Sequence, residues 1–220
     1  MRRLFHPCSI RALSSSSKVG LSQFFVGNTN GFLPRELPLE VLPEPYGKLD
    51  DLLRRMPITK KDGSAGLLAD GKFGDAVLAE LPDHTADIEQ ENDTRVLTAL
   101  FRDYAFMTSA YLLEPCDIQM RNTGSYGLGR EVLPRKVAVP LCKLAEKLNC
   151  KPFLEYAYSY ALANYAYKDP HAEDVLTHEN LRTIRGFDGG DSESGFILVS
   201  SLLLVCDSPH CRVLTHFFLC

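Results

Sequence analysis

Residues 92–113 read NDTRVLTALFRDYAFMTSAYLL, and this stretch decides the fold class. Val96, Leu97, Leu100, Phe101, Tyr104, Thr108, Tyr111 and Leu112 recur three and four residues apart, the spacing of one buried face on an α-helix. Asn92 or Asp93 offers a side-chain oxygen to cap the first turn. Pro115 is expected to stop the helix near Leu113, because proline lacks an N–H and its ring collides with the preceding turn.

Upstream, residues 31–46 read GFLPRELPLEVLPEPY, with prolines at 34, 38, 43 and 45. Such a run is extended and can lie over a surface through Phe32, Leu37, Leu39 and Leu42. Leu49–Arg55 is predicted as a short helix ending at Pro57, followed by the polar patch TKKDGSAG. Leu67–Leu81 is weakly helical and interrupted by Gly71 and Gly74, and DHTADIEQEND reads as a charged, solvated connection.

Downstream, GSYGLG at 124–129 is a turn. Pro134 and Pro140 are expected to keep the next segment extended until a helix starts at Pro140, a good first-turn residue. That helix would bury Leu141, Leu144, Ala145 and Leu148. Phe153–Tyr167 is apolar nearly all round and carries Tyr156, Tyr158, Tyr160 and Tyr165, so it is predicted as a helix that is buried or lines a cavity. Residues 168–193 read as a surface loop with one helical turn, and GFILVSSLLLV from Gly195 as an apolar helix. No period-two alternation is sustained anywhere, so the fold class is all-α.

Composition narrows the function. The chain has 220 residues, 45% hydrophobic and 24% charged, which is ordinary for a globular protein. A net charge of −4 and a pI near 5.9 argue against a nucleic-acid partner, which would call for a basic face. No apolar run reaches the ~18 residues of a membrane span; the longest, from Phe196 to Cys206, is of core-helix length. A monomer with no membrane partner is expected. The seven cysteines form no C-x-x-C pair and are odd in number, which suits free thiols in a reducing compartment. Residues 1–20 hold Arg2, Arg3, Arg11 and Lys18, five serines and no acidic residue, the composition of a mitochondrial presequence or of a disordered tail. The expected location is therefore cytoplasmic or mitochondrial.

Local catalytic motifs are lacking: there is no Walker loop, G-x-G-x-x-G, H-E-x-x-H or G-x-S-x-G. Gly124–Gly129 has no lysine and follows no strand, so it is read as a turn and not a phosphate loop. Cys206, His210, Cys211, His216 and Cys220 could be offered as zinc ligands, but they lack the C-x₂₋₄-C and H-x₃₋₅-H regularity of zinc modules.

Several segments taken together nevertheless carry a pattern. They are Gly31-Phe-Leu-Pro34 with Pro38-Leu39 and Leu42-Pro43-x-x-Tyr46; Arg130-x-Val-Leu-Pro134; Val137-Ala-Val-Pro140; Leu154-Glu-Tyr-Ala157; Leu162-Ala-Asn164; Asn180-Leu181; and Glu193-Ser-Gly-Phe-Ile-Leu-Val199. In this order and spacing the chain resembles the front part of indoleamine 2,3-dioxygenases, especially fungal ones. The resemblance implies an all-helical fold with a small N-terminal domain and a large haem-binding one. It implies a reaction that inserts both atoms of O₂ into the indole 2,3 bond of L-tryptophan, giving N-formylkynurenine, the first step of the kynurenine pathway, with tryptophan or an indoleamine as the small-molecule substrate. Haem b would supply the oxygen chemistry, and the protein an axial histidine, an apolar pocket and a cation for the substrate carboxylate.

Carried onto matching positions, the resemblance assigns Phe196 to the pocket wall against the indole and Ser200 to a pocket serine of animal members. Counted from Leu154, Tyr156, Ser159 and Tyr160 would face the pocket, on a stretch one residue longer than in animal members. A bland reading stands beside this: aromatic residues on an apolar helix are usually core packing. The family's second pocket phenylalanine, its carboxylate-binding arginine, its loop over the haem edge and its proximal histidine fall beyond these segments. None of the six histidines matches the proximal-ligand motif. This chain is therefore expected not to bind haem and to be inactive alone. The alternative is a non-catalytic truncated protein or interaction module.

The expected organisation is a leader at 1–30, a small helical domain at 31–125, the start of the haem domain at 126–199, and a non-family tail at 200–220. The tail holds three cysteines and two histidines but neither Lys nor Glu. Val199-Ser200 is also what GUAAGU, the common start of an intron, encodes in frame, so the tail reads as translated intron.

Overall fold

The computed structural model describes residues 33, 34 and 36–203. The elements are α1 Gly47–Arg55, α2 Phe73–Glu80, α3 Thr85–Gln90, α4 Thr94–Thr123 and α5 Arg135–Leu148, then a π-helical turn Tyr156–Leu162, β1 Tyr165–Tyr167, β2 Leu181–Thr183 and α6 Asp191–Leu203. The class is all-α. The described strands form one antiparallel pair, with Tyr165 opposite Thr183 and Tyr167 opposite Leu181.

The central helix begins as its sequence dictates. Asp93 accepts a hydrogen bond from the Arg95 N–H at 2.8 Å, capping α4. The end differs from expectation: α4 runs straight through Pro115 to Thr123, 30 residues and roughly 45 Å. Pro115 leaves the Tyr111 carbonyl without its usual intrahelical donor. Arg130 repairs the gap. Its Nη1 donates to the Tyr111 carbonyl and its backbone N–H to the Leu112 carbonyl at 2.8 Å. Its guanidinium also lies 4.5 Å from the centre of the Tyr111 ring and bonds Glu114 at 2.6 Å. The chain must come close to do this: a Cβ on Gly129 would sit 2.8 Å from the Leu112 carbonyl oxygen. Gly124, at φ 73°, makes the left-handed cap that ends α4.

Glu114 works in the same place. Its buried carboxylate accepts the Phe73 and Gly74 N–H groups at 2.7 and 3.0 Å, so α4 caps the N-terminus of α2. That fixes the start of α2 at Phe73, inside the stretch whose glycines made it look broken. The 83–93 segment is likewise more ordered than a solvated connection. It folds as α3, buries Ile88 and His84, and is tied to α5 by Lys147, which donates to the Glu89 and Glu91 carbonyls at 2.8 and 2.6 Å.

α5 starts at Arg135 and contains Pro140, five residues earlier than the sequence suggested. One lost hydrogen bond is outweighed by the face that Val137, Leu141, Leu144, Ala145 and Leu148 bury against α4 and α3, each such side chain stabilising by about 1.5–3 kcal/mol when fully covered. The core formed by α1–α5 includes Leu49, Leu52, Phe73, Leu100, Phe101, Tyr104 and Phe106. A smaller one gathers Leu33, Tyr158, Leu162, Tyr165, Leu181 and Leu198.

Phe153–Tyr167 departs most from its reading. Instead of a continuous helix, the chain makes a π turn and then strand β1. Tyr160 N–H bonds the Glu155 carbonyl at 3.1 Å and Ala163 N–H the Tyr158 carbonyl at 2.8 Å, both five residues back. A π turn holds one more residue than an α turn, so Tyr156–Leu162 advances fewer turns than a continuous α-helix would.

Candidate functional site

The π turn and the first half of α6 pack on each other and bring four of the five expected site residues together. On α6, Ile197, Leu198 and Ser201 point inward, and Ser201 Oγ donates to the Ala161 carbonyl or to its own helix at 3.2 Å. That register turns Phe196 and Val199 outward, at 58% and 47% exposure. Tyr156, 51% exposed, comes alongside: its ring centre is 5.8 Å from that of Phe196 and 5.9 Å from that of Tyr160. Its hydroxyl shares a 2.9 Å hydrogen bond with Ser200 Oγ. The Ser200 hydroxyl also lies 2.9 Å from the Phe196 carbonyl. The result is an aromatic shelf with a hydroxyl pair at one edge.

The shelf has a rigid back. Tyr160 stacks on Phe106 of α4 at 5.6 Å and on Phe187 at 6.2 Å, and Phe106 and Phe187 are 4.9 Å apart. Burial and the nearby Glu193 charge push the Tyr160 hydroxyl up, so it stays protonated and donates to Glu193 at 3.1 Å. Glu193 accepts three more hydrogen bonds, from the N–H groups of Phe187, Asp188 and Gly189 at 2.8, 2.8 and 3.1 Å. One carboxylate therefore fixes both the Phe187 loop and the Tyr160 ring. Asn164, fully buried, adds a second clamp, donating to the Tyr160 and Arg185 carbonyls at 3.0 Å and accepting from the Arg185 N–H at 2.8 Å.

Behind the loop lies a buried charge network. Arg185 donates to Asp50 at 2.5 Å and to Asp103 at 2.7 Å, and Arg102 bonds Asp103 at 2.7 Å and the Ala163 carbonyl at 3.0 Å. Burial alone would push the Asp103 carboxyl up, but the two guanidinium groups hold it below the ordinary carboxylate range. The network joins α1, α4 and the segment after β2, and so sets where Phe187 stands.

Ser159 is the member that does not join the shelf contacts. It is fully buried, and among the described residues its hydroxyl has no hydrogen-bond partner. Sequence reading did not single out Phe106, Phe187, Glu193 or Asn164 for the site. Glu193 and Asn164 did stand inside the quoted segments, and that was the available signal. The zinc candidates Cys206, His210, Cys211, His216 and Cys220 lie outside the described residues. Among the described residues no three His, Cys, Asp or Glu side chains converge as a metal site, and no helix is long and apolar enough to cross a membrane.

An all-helical protein with an aromatic shelf braced from behind by a carboxylate and a buried asparagine is the class that fold and site define. The family pattern of indoleamine 2,3-dioxygenase matches residues 20–215, and the chain belongs to that family. The match takes in residues 20–30 of the expected leader and 200–215 of the expected tail. Indoleamine 2,3-dioxygenase 1 of Rattus norvegicus is 33% identical over 190 residues, covering 86% of this chain and 40% of the rat protein. Indoleamine 2,3-dioxygenase 1 of Mus musculus is 34% identical over 172 residues, covering 78% and 37%. The Saccharomyces cerevisiae indoleamine 2,3-dioxygenase is 27% identical over 187 residues, covering 82% and 36%. The chain thus spans about two fifths of the length of these relatives.

Haem, which the family implies, needs an apolar wall and an axial ligand. The shelf suits the first need. For the second, the described histidines are elsewhere: His84 is buried edge-on to Tyr46 and bonded to Asp87 at 3.2 Å, while His171 and His178 stand on the exposed 168–180 loop.

Proposed function

We propose that this chain forms the substrate-side wall of a haem b-dependent dioxygenase that converts L-tryptophan and O₂ to N-formylkynurenine, or a related indoleamine to its corresponding N-formyl ring-opened product. In this reading Phe196 and Tyr156 stack on the indole, Tyr160 backs them, and Ser200 presents a hydroxyl at the ring edge. Ser159 is a buried hydroxyl that a small rearrangement could offer to a ligand. The observation that carries the reading is the meeting of Tyr156, Phe196 and Ser200 on one surface, from segments 40 residues apart in sequence. Family membership supports the reaction class.

A second reading concerns the 220-residue chain by itself: a non-catalytic product that binds no haem. It is favoured by the position of the described histidines, away from the shelf. Mix the purified chain with haem, reductant, O₂ and L-tryptophan, then follow the Soret region and product formation. The expected result is neither a stoichiometric His-ligated spectrum nor turnover. A histidine-type ferrous–CO spectrum with turnover would overturn the second reading and leave the first. The wall itself can be tested separately, because the chain contains no tryptophan and an indole ligand's emission is seen against a clear background. L-Tryptophan emission should shift on titration with the chain, and the shift should weaken with Phe196→Ala. Equal shifts with wild type and variant would overturn the assignment of Phe196.

We also propose that residues 1 to about 20 act as a mitochondrial presequence. A fusion of residues 1–30 to a fluorescent reporter should overlap mitochondria, and diffuse signal would overturn it.

A further inference from the structure

A cleft of about 930 Å³ lies apart from the shelf contacts, between the 57–62 loop, β2 and the first turns of α6. Its floor is apolar, with Leu53, Leu181, Ile184 and Leu198, and Val41 forms part of its wall at 57% exposure. Size and lining suit a small organic molecule more than an ion alone.

The charges on the cleft do not balance locally. Arg182 bonds Glu40 at 2.5 Å, and Arg185 is committed to Asp50 and Asp103. Arg54 shares Asp50 with Arg185. Lys61, on the loop that forms the cleft's rim, has no carboxylate within ion-pair distance among the described residues. The cleft is thus lined by seven cations, Arg54, Arg55, Lys60, Lys61, Lys168, Arg182 and Arg185, against four carboxylates, with Glu40 the one paired to Arg182. Loss of solvent inside the cleft, with repulsion from Arg182 and Arg185, holds the Lys61 ammonium below its ordinary range. The Glu40 carboxyl is held below its own by the Arg182 hydrogen bond, with Lys61 and Arg185 adding to the pull. The other acids on the cleft leave this excess in place. Asp62 is bonded to Ser64 and lies beside Lys60, Glu193 is fully taken up by Tyr160 and three backbone N–H groups, and Asp191 is exposed.

We propose that this cleft binds a small organic carboxylate, its anionic head between Lys61 and Arg182 and its one- or two-ring apolar body against Val41, Leu53, Ile184 and Leu198. Glu40 competes with the ligand for Arg182 and so limits its affinity. The site does not use Phe196, Tyr156 or haem, and it stands or falls independently of the dioxygenase reading.

The test is calorimetric titration of the full 220-residue chain with 2-naphthoate, and with neutral 2-acetylnaphthalene as its uncharged counterpart. The carboxylate should bind at one site and the ketone much more weakly. Lys61→Gln should weaken 2-naphthoate about tenfold, the scale of one ion pair lost at a half-screened position. Glu40→Gln should tighten it several-fold. Lys61 is exposed at the rim and Glu40 half-buried beside Arg182, outside the main core, so both variants should keep the wild-type circular dichroism spectrum. Phe196→Ala should leave the affinity unchanged. The proposal is overturned if 2-naphthoate does not saturate, if the ketone binds equally well, or if Lys61→Gln has no effect. It is also overturned if Phe196→Ala abolishes binding, which would put the ligand on the shelf.

Discussion

The α1–α5 body and the aromatic shelf are built from similar residues to opposite ends. In the body, Phe101, Tyr104 and Phe106 on α4 are fully buried, and the buried polar groups Glu114, Asp103 and Arg185 each meet ionic or hydrogen-bonding partners. On the shelf, Phe196 and Tyr156 are more than half exposed, although the elements that carry them are pinned by Ser201, Glu193 and Asn164. Exposed aromatic rings on a rigid support give up burial energy without gaining flexibility. That pattern suits a surface held ready for a ligand.

The comparison is easiest to break at the charge network. Asp103→Ala leaves Arg102 and Arg185 buried beside an empty position and should cost roughly 3–5 kcal/mol, read by urea denaturation. The sign with pH is set by the lowered carboxyl. Asp103 contributes fully above the ordinary carboxylate range of about pH 4, and that stability is lost as pH falls through its lower folded value. Wild type should therefore lose stability on acidification more steeply than Asp103→Asn. A parallel acid profile would mean the network does not depend on that charge.

Phe101→Ala should cost a comparable ~3–5 kcal/mol, since its ring is fully buried in the main core. Arg130→Met comes next, at about 1–3 kcal/mol, because it leaves the Tyr111 carbonyl without a donor and removes one of the three groups that Glu114 accepts, while the backbone N–H at 130 keeps Leu112. Its hydrogen exchange should rise around Pro115 more than at Leu100. Phe196→Ala should be smallest, within about 0.5 kcal/mol, because so much of the ring is exposed. If Phe196→Ala destabilises as much as Phe101→Ala, the shelf is core and not a ligand surface.

Helix faces were legible because burial repeats with the helical period: the stripe from Val96 to Tyr111 is buried in the structure, as are Leu141, Leu144, Ala145 and Leu148. The shelf was partly legible. Tyr156, Tyr160, Phe196 and Ser200 were named through family segments, but Phe106 and Phe187 come from α4 and a loop, and only packing brings them to Tyr160. Boundaries failed at the prolines. A proline's cost is local, while the group that offsets it is distant in sequence, as Arg130 is from Tyr111.

The sequence by itself determined the all-α class, the buried stripe of α4 and the family, since each is written in spacing and order along the chain. Only the tertiary structure decided that α4 passes Pro115, that residues 156–162 wind as a π turn before a strand, and that one carboxylate, Glu193, braces both Phe187 and Tyr160. Each of these depends on a donor or acceptor supplied from another element. A backbone group's partner is chosen by three-dimensional proximity, and local propensity does not record it.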